Sequence, residues 1–293
     1  MTPAKIFVAT DLSEPSAVAL REAHARVARG GELLVGHVVP SWRRANALFP
    51  QFNEPRLEAE RARLDDARQA LTAFVSATLG SAAGHYSVAV EEGDPATEII
   101  RMAEKWNADL TVIGSHGSTG LPRIRLGGVA ENIVRHAHGR VLVARPPSGT
   151  RTIVVGTDFS DASLPALHAA VDEARRVDGR AIFAHSVEWP LVLDAQYGGW
   201  AEIDAATILA LESDARKRLE DFAAASGIPA ECRVLRGEAG RTLIREAESA
   251  RADLVVVGTH GRTALSRMVL GSVAEFVVRT AHCSVLVVRL RKP

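Results

Sequence analysis

The sequence predicts a doubly wound α/β protein built as two tandem domains, each with a five-stranded parallel sheet and helices on both faces. Three observations support this prediction. One long segment occurs twice, short apolar runs alternate with longer amphipathic ones in both halves, and the short runs are apolar at nearly every position. Strands of that composition are typical of parallel sheets, because helices bury both of their faces.

The duplicated segment ends at Arg145 in the first half and at Arg289 in the second. Over the last 32 residues of each copy, 19 positions are identical at a constant offset of 144. Pro146, Pro147 and Gly149 lie between the copies, and such residues continue neither a strand ladder nor a helix. We therefore expect one domain at 1–147 and a second at 151–293.

The predicted strands of the first half are short runs rich in β-branched residues, and the predicted helices repeat Ala, Val or Leu at helical spacing. The long helix at 54–79 is charged on one face, as expected of a helix that covers a sheet. The strands are 5–10, 33–39, 86–91, 110–113 and 141–144, and the helices are 13–29, 54–79, 95–106 and one before the last strand.

The second half repeats this order of elements. Its predicted strands are 152–157, 180–187, 232–236, 254–257 and 285–288, and its helices are 161–177, 204–226, 241–250 and 273–280. In doubly wound sheets, ligands bind at the carboxyl ends of the strands, where the strand order reverses. The residues that follow strands one, two and four are therefore the candidates for a site.

Composition and charge exclude several classes of protein. The 293 residues contain 35 basic and 35 acidic side chains, so bulk attraction to nucleic acid or to an anionic membrane is not expected. The apolar run at 6–9 is too short for a secretory signal, and no stretch approaches the length of a membrane span. We expect a cytoplasmic protein whose two cysteines, Cys232 and Cys283, are free thiols.

A glycine-rich loop follows the fourth strand of each half. In the second half Gly258 and Gly261 precede Gly271 and Ser272, which open the last helix. Glycines let backbone amides approach phosphate oxygens, and the helix start adds a dipole and a hydroxyl. The alternative is a connecting loop in which Ser272 is an ordinary N-cap. Because the spacing is preserved in both copies, phosphate binding is favoured.

The spacing G-x2-G-x9-G-[ST], followed by V-A-E and a strand of the type VLVVR, resembles the ATP-binding branch of the universal stress protein family. The openings ATDLS and GTDFS and the runs GHV and AHS resemble that family too. The resemblance covers essentially the whole chain. It implies Rossmann-like (flavodoxin-like) domains, ATP held in a cleft, a role in stress response, and pairing of domains within one chain or in a homodimer.

Carried over to the second half, the resemblance implies an ATP site. Asp158 would contact the ribose hydroxyls or a magnesium ion bound with ATP, while Gly156 and Ser186 would contact the nucleoside through their backbones. Gly258, Gly261, Gly271, Ser272 and Val273 would surround the triphosphate, and Arg267 is a further candidate for the phosphate charge.

The first half contains the corresponding set, with one departure from the motif. Where the motif asks for Ser or Thr, this half has Gly128, so a hydroxyl worth roughly 0.5–1.5 kcal/mol is lost. The second half is therefore expected to be the stronger ATP site. The corresponding residues are Ala9, Asp11, Val38, Gly114, Gly117, Arg123, Gly127, Gly128 and Val129.

Several of these residues have a structural alternative. Asp11, Asp158, Ser13 or Ser160 could cap the first helix of its domain, and Arg123 and Arg267 could be solvated. For the repeated histidines His37, His116, His185 and His260, structural hydrogen bonding is favoured, and Glu131 and Glu275 suit the dipole at the start of the last helix. The aromatic segments 41–53 and 188–203 could form a lid over adenine, a partner surface or cover for the sheet edge.

Three classes of function are compatible with these motifs. The favoured one is an ATP-binding regulatory protein in which the nucleotide biases conformation or partner contacts. An enzyme that hydrolyses ATP slowly or phosphorylates itself is an alternative, although neither half has a P-loop lysine motif or a G-x-G-x-x-G after its first strand. A scaffold that has lost nucleotide binding is the third, and Gly128 is the residue that favours it.

Overall fold

The computed structural model describes residues 3–27, 30–41, 57–82, 84–117, 126–188, 192–194, 199–201, 205–259 and 270–289. The chain forms two compact units that divide between Pro146 and Pro147. Within the described ranges, no helix combines the length and the hydropathy needed to cross a lipid bilayer.

The first unit contains five parallel strands in the spatial order β3-β2-β1-β4-β5. The chain runs from β1 through β2 to β3 on one side, and then returns to place β4 on the other side of β1. The elements are β1 (Lys5–Thr10), α1 (Glu14–His24), β2 (Glu32–Pro40), α2 (Leu57–Leu79), a 3₁₀ turn (Gly80–Ala82), β3 (Tyr86–Gly93), α3 (Pro95–Lys105), β4 (Leu110–Gly114), α4 (Gly128–His136) and β5 (Arg140–Ala144).

The second unit repeats this arrangement with the parallel order β10-β7-β6-β11-β12. A short antiparallel pair, β8 with β9, is added after β7. The elements are β6 (Thr152–Gly156), α5 (Leu164–Val177), β7 (Arg180–Val187), β8 (Val192–Asp194), β9 (Gly199–Ala201), α6 (Ala205–Ser226), β10 (Ala230–Arg236), α7 (Ala239–Ser249), β11 (Leu254–Gly258), α8 (Ser272–Thr280) and β12 (Ser284–Val288).

The predicted fold class is confirmed, and the strand order of both sheets is Rossmann-like. The strands are buried because helices cover both faces of each sheet. Phe7 in β1 and Phe183 in β7 have no exposed surface, and the residues beside them are equally enclosed. The reversal in strand order falls between β1 and β4 in the first unit and between β6 and β11 in the second. These are the two places where a ligand cleft is expected.

The largest differences from the sequence prediction are at two helix boundaries and one hairpin. Helix α1 ends at His24 rather than at residue 29, because the amides of Arg26 and Val27 bond back three residues instead of four. Helix α5 begins at Leu164 rather than at residue 161, since residues 161–163 form a turn and Pro165 lies in the first helical turn. The β8–β9 pair lies inside the predicted aromatic segment 188–203; residues 42–53 of the other aromatic segment lie outside the described residues.

Candidate functional site

The second unit contains a cavity of about 800 Å³ at the carboxyl ends of β6, β7 and β11. It therefore lies at the reversal in strand order, where the sequence predicted a site. Seven of the nine residues predicted for this half line it: Gly156, Asp158, Ser186, Gly258, Gly271, Ser272 and Val273. The other two, Gly261 and Arg267, lie outside the described residues.

The loop after β6 holds Asp158 in a fixed position. The hydroxyl of Thr157 lies 2.8 Å from that of Ser163 in the interior and accepts a 3.0 Å hydrogen bond from the backbone N–H of Phe159. Phe159 has a φ of 61°, which a bulky residue adopts only when its surroundings require it. Asp158 in turn accepts bonds from the backbone N–H of Ser160 at 3.0 Å and from its hydroxyl at 2.6 Å. The carboxylate is therefore oriented before any ligand arrives.

The same loop geometry recurs after β1. Thr10 and Ser16 share a 2.7 Å hydrogen bond between their hydroxyls, and Thr10 accepts a 2.9 Å bond from the N–H of Leu12, whose φ is 65°. Sequence reasoning missed these hydroxyl pairs. The signal was present, because both halves contain T-D-x-S-x-x-S at this place.

The capping alternative is wrong for both aspartates and for Ser160. The N-caps of α1 and α5 are Ser13 and Ser163, and neither makes a side-chain capping bond. Asp11 instead accepts a 3.1 Å bond from the backbone N–H of Ser13, which is the counterpart of the Asp158 turn.

The start of α8 presents backbone amides to the cavity. Gly271, not Ser272, is the N-cap, so the alternative in which Ser272 is an ordinary N-cap is wrong. The N–H of Gly271 donates to the carbonyl of Thr259 at 2.8 Å, and no side chain caps the first turn. Amides in a first helical turn have no partner within the helix. Because Ser272, Val273 and Ala274 line the cavity, this turn can bind an anion.

The first unit has the same helix start, with open space beside Gly128. Gly127 is the N-cap of α4 and its N–H donates to the carbonyl of Ser115 at 2.9 Å. A Cβ added to Gly128 would meet no atom within 4 Å, so a serine would fit there. A Cβ added to Gly117 would overlap Asp11 Oδ2, so the structure brings these two predicted residues together.

The remaining predicted residues of the first half lie around the same edge of the sheet. Ala9 and Val38 are buried, and Val129 is exposed in the first turn of α4. A Cβ on Gly114 would lie 3.1 Å from the backbone of Pro15, so α1 packs closely on the end of β4. Arg123 lies outside the described residues.

The cavity of the second unit has walls on both faces of the sheet. Phe183 packs against Phe222 of α6 with ring centroids 5.1 Å apart, whereas the Ser186 hydroxyl lies 3.0 Å from that of Thr242 on α7. Side chains alternate along a strand, so His185 and Val187 face α6 while Ala184 and Ser186 face α7. Leu211, Asp214 and Arg218 of α6, Leu235 of β10 and Leu243 of α7 also line the cavity. Sequence reasoning missed these residues, because only tertiary packing brings them to the cleft.

The charged groups of the lining are mostly acidic. The described lining contains three carboxylates, those of Asp158, Asp214 and Glu188, and one guanidinium, that of Arg218. Glu188 accepts a 2.8 Å bond from the N–H of Ala239 at the start of α7, and Arg218 lies over the ring of Phe159 at 4.9 Å. Among the described residues, no group of three or more His, Cys, Asp and Glu side chains is arranged to hold a metal ion.

The repeated histidines and glutamates have structural partners. His37 Nδ1 lies 2.8 Å from the carbonyl oxygen of Thr10, and His185 Nδ1 lies 2.8 Å from that of Thr157, so both hold the first loop of their domain. His116 contacts the Ser115 hydroxyl at 2.9 Å, and His260 lies outside the described residues.

Each glutamate of the last helix pairs with an arginine one turn later. The Glu131–Arg135 and Glu275–Arg279 distances are both 3.1 Å, so these carboxylates stabilise their own helices.

Comparison with known proteins identifies the same family in both halves. The model of the universal stress protein family matches residues 3–145 and again residues 149–289. A universal stress protein of Methanocaldococcus jannaschii is 37% identical over 144 residues, which are 48% of this chain and 84% of the relative. One of Mycobacterium tuberculosis is 34% identical over 191 residues, 62% of each chain.

A solved structure shows the same fold over nearly the entire length. The crystal structure of a universal stress protein from Archaeoglobus fulgidus superposes with a TM-score of 0.70, at 20% identity, and covers 98% of both chains. The double match to the family model covers nearly every residue, including the loops after β1 and β6 and the starts of α4 and α8. The chain therefore belongs to the universal stress protein family and contains two tandem copies of its domain.

Proposed function

We propose that the second domain binds ATP together with Mg²⁺, and that the bound nucleotide biases the conformation of the protein or its partner contacts during a stress response. The observation that supports this proposal is the cavity at the β6–β11 reversal, which collects Asp158, Ser186 and the start of α8. Its volume of about 800 Å³ lies in the range of pockets that enclose a small molecule.

The nucleoside would lie between β6, β7 and α7. On this face Gly156 has no side chain and Ala184 and Ser186 have small ones, and Leu235, Ala239 and Leu243 form an apolar wall. Apolar surface suits a base, while the oriented carboxylate of Asp158 suits ribose hydroxyls. The hydroxyl of Ser186 donates to the carbonyl of Gly237 at 2.5 Å, which leaves its backbone as the group that would contact the ligand.

The triphosphate would lie at the start of α8. Its uncapped first turn supplies backbone N–H groups and the positive end of the helix dipole, and Ser272 adds a hydroxyl. Leu235 is on β10 and the helix start follows β11; these two strands are three positions apart in the sheet, a spacing of roughly 14 Å. The cleft is thus suited to an elongated ligand with one apolar and one anionic end.

The acidic lining supports a role for Mg²⁺. Three carboxylates and one guanidinium give the described lining an excess of negative charge, which opposes binding of a bare triphosphate. A divalent cation carried by the nucleotide offsets that charge, and Asp158 is the carboxylate that we expect to face it. We therefore expect ATP to bind much more tightly in the presence of Mg²⁺ than when a chelator has removed Mg²⁺.

Calorimetric titration of the purified chain with ATP and Mg²⁺ tests the proposal. We expect one ATP per chain, with binding lost in Asp158→Ala and retained in the matched control Asp11→Ala. Absence of binding, or equal affinity in Asp158→Ala and the unaltered chain, would refute it. A phosphate-release assay separates a switch from an enzyme, since sustained turnover that disappears in Asp158→Ala would establish hydrolysis.

A further inference from the structure

The two units differ at a position that the phosphate motif does not include. Leu235 on β10 is paired in register with Ser186 on β7, and Glu91 on β3 is paired in the same way with Val38 on β2. Ser186 and Val38 each follow the histidine that bonds to the first loop of their domain. Leu235 and Glu91 are therefore equivalent positions of the two sheets.

Both side chains face the same side of their sheets. Registered partners on neighbouring parallel strands point to the same face, so Leu235 lies on the α7 side together with Ser186. Leu235 is half-buried and lines the cavity of the second unit. Glu91 is contacted by Arg101 of α3 at 3.2 Å, which places it on the corresponding side in the first unit.

The charge at Glu91 is part of a cluster that the second unit lacks. Arg101 also bonds Glu98 at 2.6 Å, and Glu98 occupies the position that Thr242 has in the second unit. The second unit has a leucine that lines its cavity and a buried threonine at these two positions, whereas the first unit has two carboxylates that hold one guanidinium between them. A base placed there would have to desolvate these charges, whereas beside Leu235 it covers apolar surface.

We propose that Leu235 and Glu91 determine which domain accepts the adenine base. The second domain admits adenine beside Leu235, and the first excludes it at Glu91, independently of the missing hydroxyl at Gly128. This inference rests on the proposed function and extends it from the phosphate end of the ligand to its base. It gives the duplicated domains unequal roles, because restoring the phosphate motif in the first domain does not by itself create a second ATP site.

Calorimetry on the full chain tests the second cleft. Leu235→Glu is expected to weaken Mg-ATP binding at least 10-fold, while the matched apolar variant Leu235→Met stays within threefold of the unaltered chain. Thermal unfolding of both variants checks folding, and Leu235→Gln replaces Leu235→Glu if the latter unfolds. Equal ATP affinity in the polar variants and the unaltered chain overturns this inference and leaves the proposed function intact. No ATP binding by the unaltered chain overturns both.

Stoichiometry tests the first cleft. Gly128→Ser alone is expected to keep one ATP per chain, because the charged wall remains. Combining Gly128→Ser with Glu91→Leu and Glu98→Thr copies the second cleft at all three positions, and we expect two ATP per chain. Two sites in Gly128→Ser alone, or one site in a folded triple variant, would contradict the proposal that Glu91 excludes the base from the first domain.

Discussion

Leu243 packs against the α-carbon of Gly156 so closely that a Cβ added to Gly156 would lie 2.9 Å from Leu243 Cδ2. The contact joins the end of β6 to α7, and both residues line the cavity of the second unit. The glycine is therefore needed for packing between two elements as well as for space at the site. The first unit has alanine at this position, Ala9, so the requirement depends on the facing helix and not on the fold.

Gly156→Ala is expected to lower the free energy of unfolding of the second domain by about 1 kcal/mol, because the buried leucine must move to a less favourable position. ATP affinity falls as well, since Leu243 shifts within the wall that it forms. Denaturant unfolding and calorimetry measure the two effects. In a Leu243→Ala background the added methyl should cost almost nothing, and an undiminished cost there would show that the contact is not its cause.

Ser272→Ala is expected to weaken ATP binding by roughly 2- to 12-fold, which corresponds to one ordinary hydrogen bond. The helix should remain as stable as before, because Gly271 and not Ser272 is the N-cap. Calorimetry and thermal unfolding of the same preparation separate these two quantities. The matched control is Gly128→Ser, which enters open space and should leave the melting temperature unchanged. A large loss of stability in Ser272→Ala would indicate a structural role instead.

Ser163→Ala is expected to destabilise the second domain by about 1–2 kcal/mol, because its buried hydroxyl bonds both to Thr157 and to the carbonyl of Ser160 at 2.8 Å. The loop that orients Asp158 loses a support, so ATP binding should weaken too. Ser16→Ala, the matched variant of the first domain, should cost similar stability and leave ATP binding unchanged. Equal effects of both variants on ATP affinity would count against the assignment of the site to the second domain.

Asp253 connects the start of the second domain to β11. It accepts bonds from the Ser148 hydroxyl and the Gly149 N–H, both at 2.7 Å, and from the Arg151 N–H at 2.5 Å. Burial alone would raise the pKa of Asp253, but these bonds outweigh burial and hold the pKa below its ordinary value. The ionised form is therefore favoured in the folded state.

Because folding lowers the pKa of Asp253, this residue stabilises the domain at pH values above the ordinary pKa of an aspartate. The contribution disappears as the pH falls through the lowered pKa. Asp253→Asn is expected to cost about 1–2 kcal/mol at neutral pH and to reduce the loss of stability below about pH 4. Unfolding measured between neutral and acid pH provides the comparison. Parallel stability curves for the variant and the unaltered chain would contradict this role.

The sequence alone predicted the duplication, the order of strands and helices, and seven of the residues that line the cavity of the second half. These features are encoded locally: β-branched runs define strands, helical spacing defines helices, and the glycine spacing recurs at a fixed offset. The T-D-x-S-x-x-S pattern was equally visible, although its hydroxyl pairs became interpretable only in three dimensions.

Only the tertiary structure decided which distant residues complete the cleft. The register of β10 against β7 places Leu235 beside Ser186, and the packing of α7 places Leu243 against Gly156. Such contacts depend on how elements align and face one another, which local spacing does not encode. The sequence thus located the helix start that we propose as the phosphate end of the site, because it lies within one continuous segment. The apolar wall is assembled from separate segments, so folding was needed to define it.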